Sequence, residues 1–322
     1  MAAWTILVAL ALDLAIGDPR GGLHPVAWIG ALLEAGRRRA PGRLGWPLVA
    51  YGGALVALAA ALTLGALWAV AALAAPWRAS WPLAGLLLDG WLLKCALSLR
   101  GLVAAFDRVD RRLGAGDLAG ARAELATHLV SRPTGELDAG HVASAAVESL
   151  AENVTDSLVA PLCFYAVAGL PGAWAYRVVN TADAMIGYRR GALEYLGKVA
   201  ARADDVASWV PARLAAAALV VGAGLAGADA GGAWRARRRD GARTASPNAG
   251  QTMAAMAGAL GVRLVKPGEY ALGEGPLPDR DALARARRVA LAAAALATAA
   301  VVTVTIALAL ARALALGAAP ER

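Results

Sequence analysis

The sequence predicts an all-α, polytopic integral membrane protein with about 4–6 membrane helices and cytoplasmic helical loops. Of its 322 residues, 59% are hydrophobic and only 17% are charged, which is unlike the composition of ordinary soluble domains. Residues 47–75 and 289–311 carry no charge, and each run exceeds the roughly 20 residues that a membrane-spanning helix needs. We expect residues 1–322 to form a single membrane-embedded domain that crosses the cell membrane several times.

Clusters of arginine predict which loops are cytoplasmic. The net charge of +8 comes mainly from short clusters at residues 37–39 and 235–239, and such clusters beside apolar spans usually mark cytoplasmic loops. The lipid bilayer is therefore the expected partner rather than nucleic acid, and a homo-oligomer is left open. Cys95 and Cys163 have neither a disulfide framework nor a metal-ligand spacing.

The first predicted helix, residues 2–16, ends at a Gly-Asp-Pro turn. Asp13, Asp18 and His24 lie around that end of the helix. Asp18 and His24 are therefore candidate substrate-binding residues, although a histidine beside a proline also serves as a structural hydrogen-bonding group.

Residues 47–75 are predicted to span the membrane. Residues 83–99 either span it, with Asp89 and Lys94 facing protein, or lie in the interface. Residues 100–133 have the pattern of a polar helical hairpin on the cytoplasmic side. Asp117 is the predicted N-cap of the second helix of this hairpin. Asp138 is the predicted N-cap of the central helix that follows the hairpin.

The central stretch, residues 141–187, carries the strongest functional signal. On a helix, Glu148, Glu152 and Asp156 fall within an arc of about 120°, and Asn153 lies roughly 60° beyond it. Carboxylates at this i,i+4 spacing destabilise an isolated helix by roughly a few tenths of a kcal/mol for each pair. No Lys or Arg lies between residues 132 and 177, so we expect a partner from outside the segment, such as a divalent cation or a cationic substrate group.

A solvated acidic face on a surface helix is the alternative interpretation of these carboxylates. We favour a functional one, because charged groups beside such an apolar segment are costly and tend to mark function. Glu148, Glu152 and Asp156 are thus candidate Mg²⁺ ligands, since hard oxygen ligands suit this ion. The sequence has no complete P-loop, and its three histidines are too scattered to predict a zinc site.

Further polar groups follow in the C-terminal half. Pro161 is expected to kink or restart the helix, and Pro171 to end it. Asn180 and Asp183 share one face of the next helix with Tyr176, whereas Asp204 and Asp205 point about 100° apart. The remaining predictions are a turn at residues 246–250 that contains Asn248, a helix at 251–260, a Gly/Pro-rich loop at 266–281 and a last helix from 289.

The arginine and lysine distribution leaves one conflict of topology. Simple alternation of spans places residues 177–205 outside, although this segment is basic. Residues 157–176 are therefore either re-entrant or packed within protein, and we favour the version that does not cross.

Six sets of sequence blocks follow one another from near residue 13 to near residue 264: Asp13-Leu14 with Gly17-Asp18-Pro19 and His24-Pro25; Ala146-Val147-Glu148-Ser149 with Glu152-Asn153, Asp156 and Ala160-Pro161; Tyr176-Arg177 with Asn180-Thr181, Asp183 and Gly187-Tyr188; Ala201-Arg202 with Asp204-Asp205 and Pro211-Ala212-Arg213; Ser246-Pro247-Asn248-Ala249-Gly250; and Ala257-Gly258-Ala259-Leu260-Gly261. With these blocks in this order, the chain resembles the adenosylcobinamide-phosphate synthase family (CobD/CbiB), membrane enzymes of cobalamin biosynthesis. Two departures are Gln251-Thr252-Met253, where the family usually has an acidic group, and Ser208, where Asn is common.

The resemblance implies that an amide forms between a carboxylate of adenosylcobyric acid, a corrinoid, and the amine of aminopropanol or aminopropanol phosphate, with ATP and Mg²⁺. Under this hypothesis Glu148, Glu152, Asp156 and Asn153 are catalytic, and the three carboxylates hold Mg²⁺ or the amine. Arg177, Arg202 and Arg213 are candidate phosphate contacts. The remaining candidate substrate-binding residues are Asp18, His24, Asn180, Asp183, Asp204, Asp205 and Asn248.

Two other classes of function compete with this one. A transporter also has carboxylates and broken helices within the membrane, but no internal repeat pairs the two halves of this chain. A membrane transferase acting on a lipid phosphate would need paired Asp-rich motifs, and only residues 204–205 approach one.

Overall fold

The computed structural model describes residues 1–19 and 21–317, and the regular secondary structure of this part of the chain is helical apart from one small β-hairpin. The helices are α1 Ala2–Ile16, α2 Pro25–Arg38, α3 Trp46–Ser80, α4 Pro82–Lys94, α5 Leu99–Gly114, α6 Leu118–His128, α7 Ala139–Val154, α8 Ala160–Ile186, α9 Leu193–Leu196, α10 Lys198–Ala207, α11 Trp209–Leu225, α12 Ala230–Asp240, α13 Ala249–Leu260 and α14 Arg280–Gly317. Strands β1 Arg263–Lys266 and β2 Tyr270–Gly273 form the antiparallel hairpin, and a π-helical turn, Thr155–Val159, joins α7 to α8.

Three helical segments of the described chain are long and apolar enough to cross a membrane: Trp46–Ser80, Ala139–Ile186 and Arg280–Ala311. Two bent pairs, α4 with α5 and α10 with α11, bend by 41° and 49° and raise the number to five if each pair is one span. Large apolar side chains such as Leu62, Trp68 and Leu73 are exposed along α3, as expected for a helix that faces lipid. The predicted class, an all-α polytopic membrane protein, is confirmed.

The predicted helix starts are confirmed at two caps. The Asp117 side chain accepts a hydrogen bond from the backbone N–H of Gly120 at 2.8 Å, and the Asp138 side chain accepts one from His141 at the same distance. Each bond satisfies one of the N–H groups that a helix start leaves without an intrahelical partner. A short polar residue before an apolar segment was sufficient to place both helix starts.

Two local predictions were wrong. Residues 266–281 were expected to be a loop, but β2 lies within them and pairs Leu264 with Leu272, both buried. Pro171 was expected to end a helix, but the break lies at Gly169, which has a φ of +65°. Pro171 then occupies the first turn of the restarted helix, where its missing N–H costs nothing.

The chain divides into two compact units, each made of several stretches: Met1–Leu97, Pro161–Asp204 and Thr298–Arg322 in the first, and Ser98–Ala160 and Asp205–Ala297 in the second. In the first unit α1 packs on α4, and α3 packs on α2, α4 and α9. In the second unit α12 and α11 pack on α13, while α5, α6, α13 and β1 pack on α7. The single domain expected over residues 1–322 stays a prediction.

A buried carboxylate fastens the hairpin to α12 in the second unit. Asp240 is fully buried, and its side chain accepts hydrogen bonds from the backbone N–H of Gly273 at 2.8 Å and from the guanidinium of Arg239 at 2.8 and 3.0 Å. Arg243 lies 3.1 Å away. Burial raises the pKa of Asp240, but the bonds from Arg239 and Gly273 and the charges of Arg239 and Arg243 outweigh it and hold this pKa below its usual value.

We predict that Asp240→Asn lowers the free energy of unfolding by about 2–4 kcal/mol at pH 7, because charge-assisted bonds to a buried group are lost. A depressed pKa stabilises the folded state above the unfolded value of about 3.9, and this stabilisation is lost as the pH falls through the folded pKa. The difference in the free energy of unfolding between wild type and variant should therefore decrease below about pH 4. Thermal unfolding of purified protein in detergent between pH 3 and 7 measures both effects.

Glu274→Gln is the matched control, since Glu274 also pairs with Arg239 but is 81% exposed. This exposed pair should contribute less than about 1 kcal/mol. A difference between Asp240→Asn and wild type that stays constant with pH would contradict the assignment.

Candidate functional site

Glu148 on α7 lies in a buried hydrogen-bond network of the second unit. Its side chain is almost fully buried, with 5% of the residue exposed. Ser144 Oγ donates to Glu148 Oε1 at 2.8 Å, and the Tyr270 hydroxyl donates to Oε2 at 3.0 Å. Ser144 Oγ also accepts from the backbone N–H of Val265 at 2.7 Å. The carboxylate on α7 is thereby tied to both strands of the hairpin.

The cationic partner of Glu148 is a protein side chain. Arg132, in the loop that follows α6, places Nη2 3.5 Å from Glu148 Oε2. This partner comes from outside the acidic segment, as expected, but it is neither a metal nor a substrate. Since Arg132 lies 16 residues before Glu148, only the folded loop brings it to this helix.

The Tyr270 hydroxyl is a neutral hydrogen-bond donor in this network. Burial raises the pKa of Tyr270 well above its usual value, and the negative charges of Glu148 and Glu152, together with the hydrogen bond to Glu148, raise it further. The phenol therefore keeps its proton at neutral pH.

The three predicted carboxylate ligands do not form a metal site in this structure. Among the described residues, no three His, Cys, Asp or Glu side chains are placed to hold a metal ion. Glu148 is already bonded to Ser144 and Tyr270, and Asp156 lies in the π-helical turn. The three carboxylates are therefore not arranged as a preformed metal cage among the described residues, and their role as Mg²⁺ ligands stays a prediction.

The predicted catalytic residues differ in their accessibility. Glu152, Asn153 and Asp156 are partly exposed, whereas Glu148 is buried. The Asn153 amide donates back to the carbonyl oxygen and to the hydroxyl of Ser149, at 2.9 and 3.1 Å. Asn153 is thus bonded to its own helix, whereas Glu152, one turn after Glu148, is partly exposed.

A second group in the second unit brings together three predicted substrate-binding residues. The Asn248 amide donates to the carbonyl oxygen of Asp205 at 2.8 Å, and Asn248 Oδ1 accepts from Arg213 at 3.2 Å. Arg213 also stacks on the Trp209 ring at 3.9 Å and donates to the Trp209 carbonyl. Asn248 is 5% exposed, so this turn residue links two distant stretches of chain in addition to opening α13.

In the first unit, three more predicted residues form a chain of hydrogen bonds. Arg177 Nε donates to the carbonyl oxygen of Ala96 at 3.0 Å, and Arg177 Nη1 donates to Asn180 Oδ1 at 3.3 Å. Asn180 in turn donates to Asp204 Oδ1 at 3.3 Å. The guanidinium is thus anchored on the short break that follows α4.

The N-terminal candidates surround a buried lysine in the same unit. Lys94 is fully buried and lies 2.6 Å from Asp18 and 3.9 Å from Asp13, which is also buried. His24 caps α2 by accepting from the Val26 N–H at Nδ1, and its Nε2 lies 3.6 Å from Asp18. The structural interpretation of His24 therefore holds, and the same residue also contacts Asp18.

The two other candidates lie in the first unit. Asp183 Oδ1 lies against Gly187, where an added Cβ would come within 2.0 Å of it, so glycine is required at that position. Arg202 is exposed on α10. Sequence analysis gave no signal for Arg132 and Tyr270 as members of these groups. Ser144 gave one, because it shares a helix face with Glu148, and Lys94 gave one as a charge within an apolar run.

The fold and these polar groups define an α-helical membrane protein whose buried charges are concentrated near helix breaks. Residues 6–303 match the CobD/Cbib protein family. The chain therefore belongs to the CobD/CbiB family of cobalamin biosynthesis proteins, which are biosynthetic enzymes.

Named relatives agree with this assignment. The chain is 41% identical over 269 residues to the cobalamin biosynthesis protein CobD of Dehalococcoides mccartyi, covering 83% of this chain and 85% of that protein. It is 41% identical over 264 residues to CobD of Geobacter metallireducens, covering 80% of each. It is 38% identical over 279 residues to the cobalamin biosynthesis protein CbiB of Salmonella typhi, covering 83% of each. No solved structure matches the chain.

We predict that Lys94→Met destabilises the protein by about 3–5 kcal/mol, because it leaves the buried Asp13 carboxylate without this cation. The double variant Lys94→Met/Asp13→Leu should recover much of that loss, since a buried ion pair replaced by apolar side chains is often neutral. The stability of both variants is measured by heating the protein in detergent and following by fluorescence the fraction that stays monodisperse.

Lys198→Met is the control in the same unit, because Lys198 is 48% exposed and pairs with Glu194 at 3.8 Å. Its effect should stay below about 1 kcal/mol. If the single and the double variant lost equal stability, Lys94 would not stabilise the protein through its pairing with Asp13.

Proposed function

We propose that this chain forms the amide bond between a carboxylate of adenosylcobyric acid and the amine of (R)-1-amino-2-propanol or its O-phosphate. The product is adenosylcobinamide or its phosphate, and the enzyme acts in the cell membrane as an ATP-dependent acid–amine ligase. The family assignment supports a step of cobalamin biosynthesis, and the resemblance described above implies the amide chemistry. The same assignment to biosynthetic enzymes speaks against the transporter.

The observation that carries the proposal is the arrangement of the two glutamates on α7. Glu148 is buried and engaged by Ser144, Tyr270 and Arg132, whereas Glu152, one turn further along, is partly exposed and its charge acts on the Tyr270 hydroxyl. An amide-forming enzyme needs a base that takes a proton from the ammonium group, and a carboxylate also attracts that cation. Glu152 fits this role, and Glu148 holds the groups around it in place.

The reaction needs two bond-forming steps. An oxygen of the corrinoid carboxylate attacks the terminal phosphorus of ATP, and ADP departs with the electron pair of the broken P–O bond. The amine, after its ammonium form has lost one proton to Glu152, attacks the activated carbonyl carbon. Inorganic phosphate then leaves with the electron pair of the C–O bond, and a second proton is lost from nitrogen to solvent.

Magnesium enters this scheme with ATP. The described residues do not fit a preformed metal cage, and Mg²⁺ is commonly bound through substrate phosphates with only one or two carboxylates. When bound, the ion neutralises charge on the transferred phosphoryl group. Arg177, Arg202 and Arg213 stay candidate phosphate contacts, because guanidinium groups bind phosphate bidentately.

Replacing Glu152 by Gln should lower amide formation by about 10²–10⁴-fold, because the amide side chain cannot take a proton from the ammonium group. Mass spectrometry of the corrinoid product, after incubation of membranes with adenosylcobyric acid, aminopropanol phosphate and Mg-ATP, measures turnover. Membrane insertion of the variant should be unchanged.

Glu136→Gln is the control, since Glu136 is exposed in the loop before α7. Its turnover should equal that of wild type. Full activity of Glu152→Gln would exclude Glu152 as the base, and no product from wild type with either amine would exclude the proposed reaction itself.

A further inference from the structure

Arg132 has hydrogen-bonding capacity that the protein does not use. Its Nε and Nη1 atoms are buried and have no hydrogen-bond partner, and among the described residues it is the only arginine with two such nitrogens. Its Nη2 contacts Glu148 at 3.5 Å, at the outer limit of a hydrogen bond. Buried donors are nearly always satisfied in proteins, so two on one guanidinium require an explanation.

Other ion-paired arginines of the second unit are better satisfied. Arg239 donates to both carboxylate oxygens of Asp240, and Arg108 Nε donates to Glu124 at 3.0 Å. Arg108 is 32% exposed and Arg132 is 20% exposed. Arg132 is therefore the more buried of the two and makes the weaker contact with its glutamate.

The backbone around Arg132 is held in place, whereas the side chain is not. Thr134 donates to the carbonyl oxygen of Arg122 at 3.0 Å, and Arg122 Nε donates to the carbonyl oxygen of Leu137 at 2.7 Å. Pro133 further restricts the loop. Since only a long contact fixes the guanidinium, a small rotation presents Nη2 together with Nε or Nη1 to an anion.

Charged groups of both signs surround Arg132. Arg132 and the Tyr270 hydroxyl contact the same oxygen of Glu148, at 3.5 and 3.0 Å, and the charge of Glu152 also acts on this hydroxyl. Lys266, on β1, lies over the Tyr270 ring with Nζ 6.0 Å from its centroid. A cluster with cationic and anionic groups side by side suits a small ligand that carries both an ammonium and an anionic group.

We propose that Arg132 is the residue that binds the phosphate group of a phosphorylated amine substrate. Glu152 then holds the ammonium group, and the guanidinium forms charge-assisted hydrogen bonds with the phosphate oxygens. This inference rests on the proposed function, because it assigns one end of the amine substrate to a residue that neither the acidic segment nor the blocks of the family resemblance include.

The test compares aminopropanol phosphate with aminopropanol as substrates of wild type, Arg132→Met, Arg132→Lys and the control Arg108→Met, all as full-length protein in detergent. Arg132→Met should raise KM for the phosphate by at least about 10-fold, because charge-assisted hydrogen bonds are lost. KM for the free amine should change less than about twofold. Arg132→Lys should fall in between, since lysine keeps the charge but cannot form a bidentate pair. Arg108→Met should leave both values unchanged.

A binding measurement separates this inference from the reaction itself. Wild type should gain more thermal stability from aminopropanol phosphate than from aminopropanol without ATP or corrinoid, and Arg132→Met should lose that extra gain. Wild type that shows the gain but makes no product would overturn the proposed reaction and leave the phosphate site standing. Equal increases of KM for both amines, a change confined to the KM of ATP or of the corrinoid, or an equal thermal shift with both amines would overturn the role of Arg132.

Discussion

The structure of the second unit depends on how one buried carboxylate is satisfied. Burying an ionised group without partners costs far more than one hydrogen bond returns. Glu148 meets this requirement with two hydroxyl donors and one guanidinium, which come from its own helix, from the hairpin and from the loop after α6. Three separate elements are therefore held at one point, and the neighbouring Glu152 is left partly exposed.

In the first unit, buried charged groups are likewise satisfied by partners from separate stretches of chain. Lys94 is buried with Asp13 and close to Asp18, and Arg177 is anchored on the carbonyl of Ala96, two residues after the lysine. Breaks between helices expose backbone carbonyls and allow charged side chains to approach one another. Because such irregular backbone is tolerated at membrane depth only where protein or water covers it, polar groups gather at these breaks.

The π-helical turn after α7 marks the end of the acidic segment. Such turns are rare and are found frequently at functional sites. Asp156 lies within this turn, whereas Glu148, two turns earlier, is held by Ser144, Tyr270 and Arg132. The two carboxylates of the acidic segment therefore have different local backbone structure and different surroundings.

The sequence by itself determined the class of protein, most helices and the caps at Asp117 and Asp138, because apolar runs and caps are local properties. It also identified the polar blocks at 148–156, 177–183, 202–205 and 246–248. Only the tertiary structure decided which of these residues meet: Asn248 with Asp205 and Arg213, and Asn180 with Arg177 and Asp204.

The hairpin, the π turn and the partners of Glu148 could not be predicted from local pattern. The hairpin residues have the local pattern of a loop, and they form strands because Leu264 and Leu272 are buried against the rest of the unit. A π turn has no clear signature in a helical sequence. Arg132 and Tyr270 lie 16 and 122 residues from Glu148. Their convergence depends on the packing of α7 against the hairpin and the loop after α6, since residues so distant along the chain meet only when the whole unit is folded.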